Sequence, residues 1–350
     1  MVGYEFQSIS NGGTVTMDSY DILRLYNQGE RDFRGADLPA ANLIGVELTH
    51  ANLSGSNLKE ASLARAHLSR CFMLEANLNG AFLYSADMSF VKLKGSHLRE
   101  ADLTKADLRG SHLANADLAG ARMSGAILNW VTFYRANLAG VNLCGANLNG
   151  INLRSANLEG ANLNWTNLSG ARLSGAKLKG ALLEGVKLTG AYLNGLDLGG
   201  LNFSAMNLAD VKMSGAKLQA TNFTGANLNN AQMRNVKMEE ANLKQAILYQ
   251  SNMMGAQFIE ANLMKTDLRE VNLRNADLRG ANLNLSQLNG ADLTGANLQG
   301  AYLWGADLDG ACLQGADLRG ASLRDAAILG ADLRDAILEG TIMPDGNIYI

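Results

Sequence analysis

Residues 156–165 read Ala156-Asn157-Leu158-Glu159-Gly160-Ala161-Asn162-Leu163-Asn164-Trp165, two five-residue units with their parts in the same order. Each unit holds a small residue, a polar one, a large apolar one, a variable one, and a fifth that is very often Gly. Stepping outward by fives, the large position runs from Phe33 to Met343 without a slip. It has 63 members: 49 Leu, 8 Met, 5 Phe and Ile328. At the small position, two places earlier, 40 of the 63 residues are Ala. A period of five matches neither the 3.6 of a helix nor a sustained period-two strand. It matches a chain that turns one large and one small side chain inward and then rounds a corner. Leu fills the interior, Ala lets neighbouring backbone approach closely, and Gly eases the corner. The outward Asn or Asp can hydrogen-bond to backbone at that corner. One unit alone buries almost nothing, so stability must come from stacking.

Composition agrees with a repeat. The chain has 350 residues, with 38 Gly, only 2 Pro and 6 % aromatics, and a formal net charge of −3. No apolar run approaches the ~20 residues needed to span a bilayer. The opening residues lack both a basic start and an apolar core, so no secretory leader is expected and a cytoplasmic location is the default expectation. Of the three cysteines, Cys71 falls at an inward position, and Cys144 and Cys312 at outward ones. On a stacked reading the outward pair would lie about 40 Å apart at about 4.8 Å per coil. That is far beyond disulfide reach, so three free thiols are expected.

The A(D/N)LxG pattern, as in Ala101-Asp102-Leu103 and Ala161-Asn162-Leu163, resembles the pentapeptide-repeat family over about nine-tenths of the chain. The resemblance implies an all-β fold, a right-handed quadrilateral β-helix with four pentads per coil. The pentads would then make nearly 16 coils, a rod about 75 Å long at about 4.8 Å per coil. The segment from Ile22 to Leu38 and the tail from Gly340 to Ile350 resemble ends found in cyanobacterial members.

The ends depart from the repeat. Residues 1–16 fit neither helix nor repeat, and two readings are open: a flexible extension, or a start codon upstream of a true start at Met17. Residues 17–30 are expected to form a helical cap, with Asp18 at the start of a short amphipathic helix and Gly29 as its stop. Ile22, Leu23 and Tyr26 would cover the open end of the first coil. The β-helix occupies 31–343, and 344–350 form a cap or tail. Asn347-Ile348-Tyr349-Ile350 would either fold back as that cap or pair edge to edge in a homodimer.

Chemistry is sparse. A convex rod filled with Leu and Ala offers no concave, desolvated site, so no catalytic residue, metal or cofactor is expected. His50, His67, His97 and His112 read as surface histidines, with no Cys or tight carboxylate cluster at ligand spacing. Asp277/Arg279 and Asp317/Arg319 read as solvated charge pairs. Apparent phosphate-loop glycines are artefacts of the period of five.

What remains is surface. Outward positions are mostly Asn, Asp, Ser, Lys or Arg, and three groups of exceptions are candidate protein-binding residues. The first is Phe72, Leu74, Phe82, Tyr84 and Phe90. The second is Ile127, Trp130, Tyr134 and Trp165, whose two Trp residues occupy corner positions normally held by Gly. The third is Ile247, Tyr249, Met254, Ile259 and Met264, a belt around one coil. Each group has an alternative reading as local packing. A fourth anomaly is internal: Leu196, Leu201, Met206 and Val211 replace Ala on four consecutive small positions, so a local swelling or bend is expected there.

The leading functional reading is a non-enzymatic scaffold or regulatory protein that offers a rigid surface to protein partners. The cyanobacterial resemblance implies a narrower form, heterocyst regulation. The alternative is a DNA mimic directed at gyrase, a role the resemblance also implies. B-DNA carries about 44 charges over 75 Å, so a formal −3 argues against it. Charge is uneven: 171–245 has nine Lys/Arg against five Asp/Glu, and 301–350 three against eight. Nucleic acid is therefore an unlikely partner on charge, and no membrane insertion is expected.

Overall fold

The computed structural model describes residues 15–350. The residue order of a pentad dictates which acceptor its N–H groups meet, and the pentad 56–60 shows a complete set. In the pentad 56–60, Ser56 N–H donates to the Leu53 carbonyl at 3.2 Å and closes the preceding corner. Asn57 N–H reaches back to the Ala36 carbonyl at 2.9 Å, while Leu58 and Glu60 reach forward to Asn77 and Asn79, at 2.7 and 2.8 Å. Only the Lys59 N–H is left over, and it donates to Asn57 Oδ1 at 3.3 Å. An amide without a partner costs about 1–3 kcal/mol when buried. The outward Asn or Asp is therefore a working part of the corner.

Parallel bridges join residue i to i+20, as in Asn52↔Phe72 and Phe72↔Lys92, so four pentads make one coil. Four ladders result. Ladder 1 carries Phe72 and Lys92, ladder 2 Asn77 and His97, ladder 3 Phe82 and Asp102, and ladder 4 Asp87 and Asp107. The chain belongs to two compact units, Met1–Asn167 with Ala176–Val186 and Leu168–Gly175 with Lys187–Ile350. Each is built from these coils around its own Leu-rich core.

The corner residue that ends each pentad, from Gly35 to Gly340, has φ between +53° and +75°. With the i to i+3 hydrogen bond across it, this is the signature of a type II turn, which needs positive φ at its third residue. Gly meets that demand without strain. Elsewhere Glu60, Arg70, Phe90, Trp130 and Trp165 accept the same conformation, at about 1–2 kcal/mol each.

In the first unit, α1 (Ser19–Asn27) begins at Asp18, whose side chain accepts the Asp21 N–H at 2.8 Å. Ile22 and Tyr26 are buried and Leu23 is half-buried. The Tyr26 hydroxyl donates to the Thr49 carbonyl at 3.0 Å, and the Arg31 guanidinium lies 3.7 Å from the Tyr26 ring centre. One boundary needs correcting. Val15–Thr16 (β1) was assigned to the flexible extension, yet it pairs in parallel with Ala36–Asp37 (β2). The rest of that extension, 1–14, lies outside the described residues.

In the second unit the four enlarged small positions stay on the inner side. Leu196 and Val211 are buried, whereas Leu201 and Met206 are half-buried. The coil keeps its onward bridges, Asp197↔Lys217, Asn202↔Asn222 and Asn207↔Asn227. The tail folds back as a hairpin: Tyr349 N–H donates to the Thr341 carbonyl at 2.8 Å, and Gly340 N–H to Tyr349 at 2.7 Å. Ile342 bridges Ile348 antiparallel. Of the two arrangements expected for the tail, the chain adopts the fold-back. Ile328, Leu333, Leu338 and Met343, inward in the last coil, remain half-buried.

Most small positions held by Ser or Thr keep their hydroxyls satisfied, as where Ser56 donates to Leu53 O at 2.7 Å and Thr341 to Leu318 O at 2.7 Å; the buried Ser251 hydroxyl is the exception and has no partner. A charge has no such outlet. Leu163 is fully buried, so Leu163→Asp should lower unfolding free energy by about 3 kcal/mol or more in urea titration. A variant with the parent's midpoint would refute the inward assignment.

Candidate interaction surface

A bulky corner side chain leans toward the next coil, over the residue twenty places on. Phe90 does so over Gly110, where a Cβ would stand 2.5 Å from the ring. Trp165 covers Gly185 so closely that a Cβ there would collide with Cε3, Cζ3 and Cδ2 of the indole. Both aromatics are thereby partly packed. Trp130 differs: it is 80 % exposed, and a Cβ on Gly150 would meet nothing within 4 Å. No neighbour accounts for its presence.

The register sorts the candidates differently from their order in sequence. Phe72 and Leu74 lie on ladder 1, with Phe90 and Trp130 on its leading corner and Tyr134 beside Thr132 of the same ladder. Ile127 stands on adjoining ladder 4. Phe72 to Thr132 is three coil steps, about 14 Å. Phe82 and Tyr84 belong to ladder 3, with ladder 2 between them and Phe72, so the first group is two patches. Trp165 is on the corner after ladder 3, apart from Trp130.

The belt at 247–264 is largely engaged with its surroundings. Of its members Ile247 is exposed, and Tyr249, Met254, Ile259 and Met264 are half-buried. The Tyr249 hydroxyl donates to Glu270 Oε1 at 3.3 Å, and Arg234 Nη2 approaches Met254 Sδ at 3.7 Å.

One cluster in the second unit escaped the sequence reading: Tyr302, Trp304 and Leu285, all exposed. Trp304 Nε1 donates to Asp325 Oδ2 at 2.8 Å, and Leu285 leans over Gly305. Apolar residues on both sides of Leu303 repeat the signal given by Phe82 and Tyr84 around Leu83, so it was available.

Part of the charge is settled locally. Asp107/Arg109, Asp267/Arg269, Asp277/Arg279, Asp317/Arg319 and Asp332/Arg334 each pair across one intervening Leu, at 2.5–2.7 Å. Asp317 also accepts Arg319 N–H at 3.1 Å and Gln299 Nε2 at 2.6 Å. These bonds, led by the Arg319 guanidinium, pull its carboxyl down to about 2. Two of the eight C-terminal carboxylates, Asp317 and Asp332, are thus paired on their own pentads, while the net acidic excess remains. Burial and nearby Lys92 push the His112 imidazole down. Cys71 donates to the Leu48 carbonyl at 3.0 Å, and burial pushes its thiol up to about 12, an inert state. Among the described residues no group of three or more His, Cys, Asp or Glu is placed to hold a metal. No helix there is long and apolar enough to cross a membrane.

The model for pentapeptide repeats matches successive segments from residue 32 to residue 340. No curated protein matches the chain. Solved structures do. HetL, a pentapeptide repeat protein involved in heterocyst differentiation regulation from the cyanobacterium Nostoc sp. strain PCC 7120, is 28 % identical. That likeness covers 95 % of this chain and 100 % of HetL, with a TM-score of 0.19. Trypsin-treated QnrB1, a plasmid-mediated fluoroquinolone resistance protein, is 20 % identical over 50 % of this chain and 92 % of its own, with a TM-score of 0.45. A pentapeptide repeat protein of the Arabidopsis thaliana thylakoid lumen is 31 % identical over 36 % of this chain and 67 % of its own, with a TM-score of 0.13.

Two tests follow from the packing and the charges. Gly185→Ala should destabilise more than Gly150→Ala, because both share the positive φ but only Gly185 lies beneath an indole. Adding Trp165→Ala should recover the difference in a double-mutant cycle of thermal melts; an equal loss at both glycines would refute the stacked indole. Asp317 has a depressed folded pKa, so its contribution is complete above its ordinary value near 3.8 and fades as pH falls toward about 2. Asp317→Asn should therefore cost about 0–1 kcal/mol at neutral pH, with the gap to the parent closing by pH 2 in melts run across pH.

Proposed function

Because the chain belongs to the pentapeptide-repeat family, we propose that it is a non-enzymatic scaffold that presents a fixed surface to protein partners. On this reading each unit is a right-handed, four-sided β-helix, and its stiffness follows from a core of Leu stacked on Leu. The observation that carries the proposal is Trp130, an indole 80 % exposed on a strained corner that leaves Gly150 of the next coil uncovered. A Trp held in the open at conformational cost fits a binding hot spot better than a packing role. The neighbouring Phe72, Leu74 and Phe90 extend the same surface.

The narrower form of the proposal is a regulatory part in cyanobacterial cell differentiation, in the cytoplasm; it comes from the resemblance of the repeat and the chain ends. Homodimerisation through the C-terminal end is the subordinate part. The tail spends its hydrogen bonds on its own last coil, which leaves the half-buried Ile328, Leu333 and Leu338 as the surface for it. A gyrase-directed DNA mimic is the alternative. It is disfavoured by the net charge of −3 and by aspartates already paired with arginine. Inhibition of gyrase supercoiling at sub-micromolar protein would reverse this order.

The test is affinity purification from the native organism with parent, Phe72→Ser/Trp130→Ser and Trp304→Ser. The double variant should lose partner while its stability stays within about 0.5 kcal/mol per site of the parent. Trp304→Ser should retain it. Large destabilisation of the double variant with partner retained would make these aromatics packing elements and end the proposal for this surface.

A further inference from the structure

We propose that ladder 1 of the first unit, between Arg70 and Arg154, docks an acidic amphipathic helix of a protein partner, laid along the direction in which the coils stack. The proposal rests on the scaffold reading and names the chemistry of the partner.

Charge is the first argument. Arg70, Lys92, Lys94, Arg135 and Arg154 all stand on ladder 1 or its two corners. Among the described residues none of the five forms an ion pair, in contrast to Arg109, Arg269, Arg279, Arg319 and Arg334, each bound to an Asp of its own pentad. Over this stretch the same face carries a single carboxylate, Glu75. Neighbouring ladder 4 holds Asp87 instead, together with Asp107, whose charge Arg109 already pairs. A partner's acidic groups are thus attracted to ladder 1 and repelled by Asp87 at its border, which adds specificity to affinity.

The cations are interleaved with apolar groups. Phe72, Phe90 and Trp130 share the face and are all exposed. Arg70 lies 5.8 Å from the Phe90 ring centre and Arg135 5.1 Å from that of Tyr134. The matching surface must therefore be apolar along its centre and acidic along its flanks.

Backbone geometry selects the helix. Phe72, Lys92 and His112 are each bridged on both sides, by Asn52↔Phe72, Phe72↔Lys92, Lys92↔His112 and His112↔Thr132. With no free edge, an extended segment cannot join as an added strand. A helix advances about 5.4 Å per turn and the coils about 4.8 Å, so successive turns meet successive coils. Arg70 to Arg154 spans a little over four coil steps, about 20 Å, or roughly 13 helical residues.

The experiment pans a displayed library of random 16-residue peptides against the full chain. Enriched peptides should be net acidic with apolar residues at i, i+3 or i+4, and i+7. The best peptide, labelled for fluorescence anisotropy, should bind parent and Trp304→Ala alike. It should weaken at least tenfold with Trp130→Ala and with Lys92→Glu/Lys94→Glu, and weaken with added salt. Circular dichroism melts establish that each variant is folded. Enrichment without acidic bias, no enrichment at all, or binding indifferent to both ladder 1 variants overturns the proposal. If a native partner is still captured in those cases, the scaffold reading survives alone. Tighter binding of a labelled dT20 oligonucleotide, lost with Trp130→Ala, would also overturn it and give the face to nucleic acid.

Discussion

The N–H that follows each large residue is the constraint on which the fold depends. Corner and ladder geometry satisfy the other donors of a pentad, but this one points where no carbonyl waits. An Asn or Asp two residues earlier supplies the oxygen, as Asn57 does for Lys59. At several pentads whose outward residue cannot accept, the oxygen comes from the coil before. Ser54 Oγ takes the Leu74 N–H beyond Phe72, Asn79 that of Arg99 beyond His97, and Asn164 that of Glu184 beyond Leu182. Asn284 does the same for Trp304 beyond Tyr302. A neighbour's acceptor thus keeps the amide bonded beyond the apolar Phe72, Leu182 and Tyr302.

The corner imposes a second rule of the same kind. Positive φ is required whatever the residue, and the side chain that accepts it leans toward the next coil. Glycine at that next corner makes room: Gly110 for Phe90, Gly185 for Trp165, Gly305 for Leu285. Gly in this chain thus has two roles, easing its own turn and admitting a neighbour's side chain. Packing accounts in part for Phe90 and Trp165. It does not account for Trp130, whose companion Gly150 is left uncovered. The two Trp residues look alike in sequence and separate only when the next coil is considered.

That difference marks how far the sequence could be read. A strict period of five placed the inward residues, since volume and polarity repeat with it; Leu163 and its counterparts are buried as the pattern required. Grouping of outward residues depends on a period of twenty, which is weak in the sequence because the outward residues vary. Phe72 and Phe82 are near in sequence yet stand on ladders 1 and 3, whereas Phe72 and Trp130 are far apart and share a face. Val15–Thr16 was missed because two residues without the repeat leave no periodic signal, although strand β2 offers them an edge. The belt at 247–264 reads as exposed from position alone. Tyr249 and Met254 are half-buried because long flexible side chains, Glu270 and Arg234, reach them.

Arginine shows the same distinction in charged form. At Arg319 the guanidinium is held by Asp317 across one Leu, and the pair fills a local need. Arg154 stands at the same place in its pentad but has Asn152 where Arg319 has its Asp, and Arg135, a corner residue, has Thr132 at the bridge position of its pentad. Lys92 and Lys94 flank a single Leu and can only repel one another. Such uncompensated cations cost little beside water, and beyond the ring contacts of Arg70 and Arg135 they form no ion pair with the coils that carry them. The regular fold has no use for them, for the uncovered indole of Trp130, or for the exposed ring of Phe72, and all of these stand on one face of one unit. Where local structure leaves charge and apolar area unused together, recognition by a complementary partner is the physical role left to them.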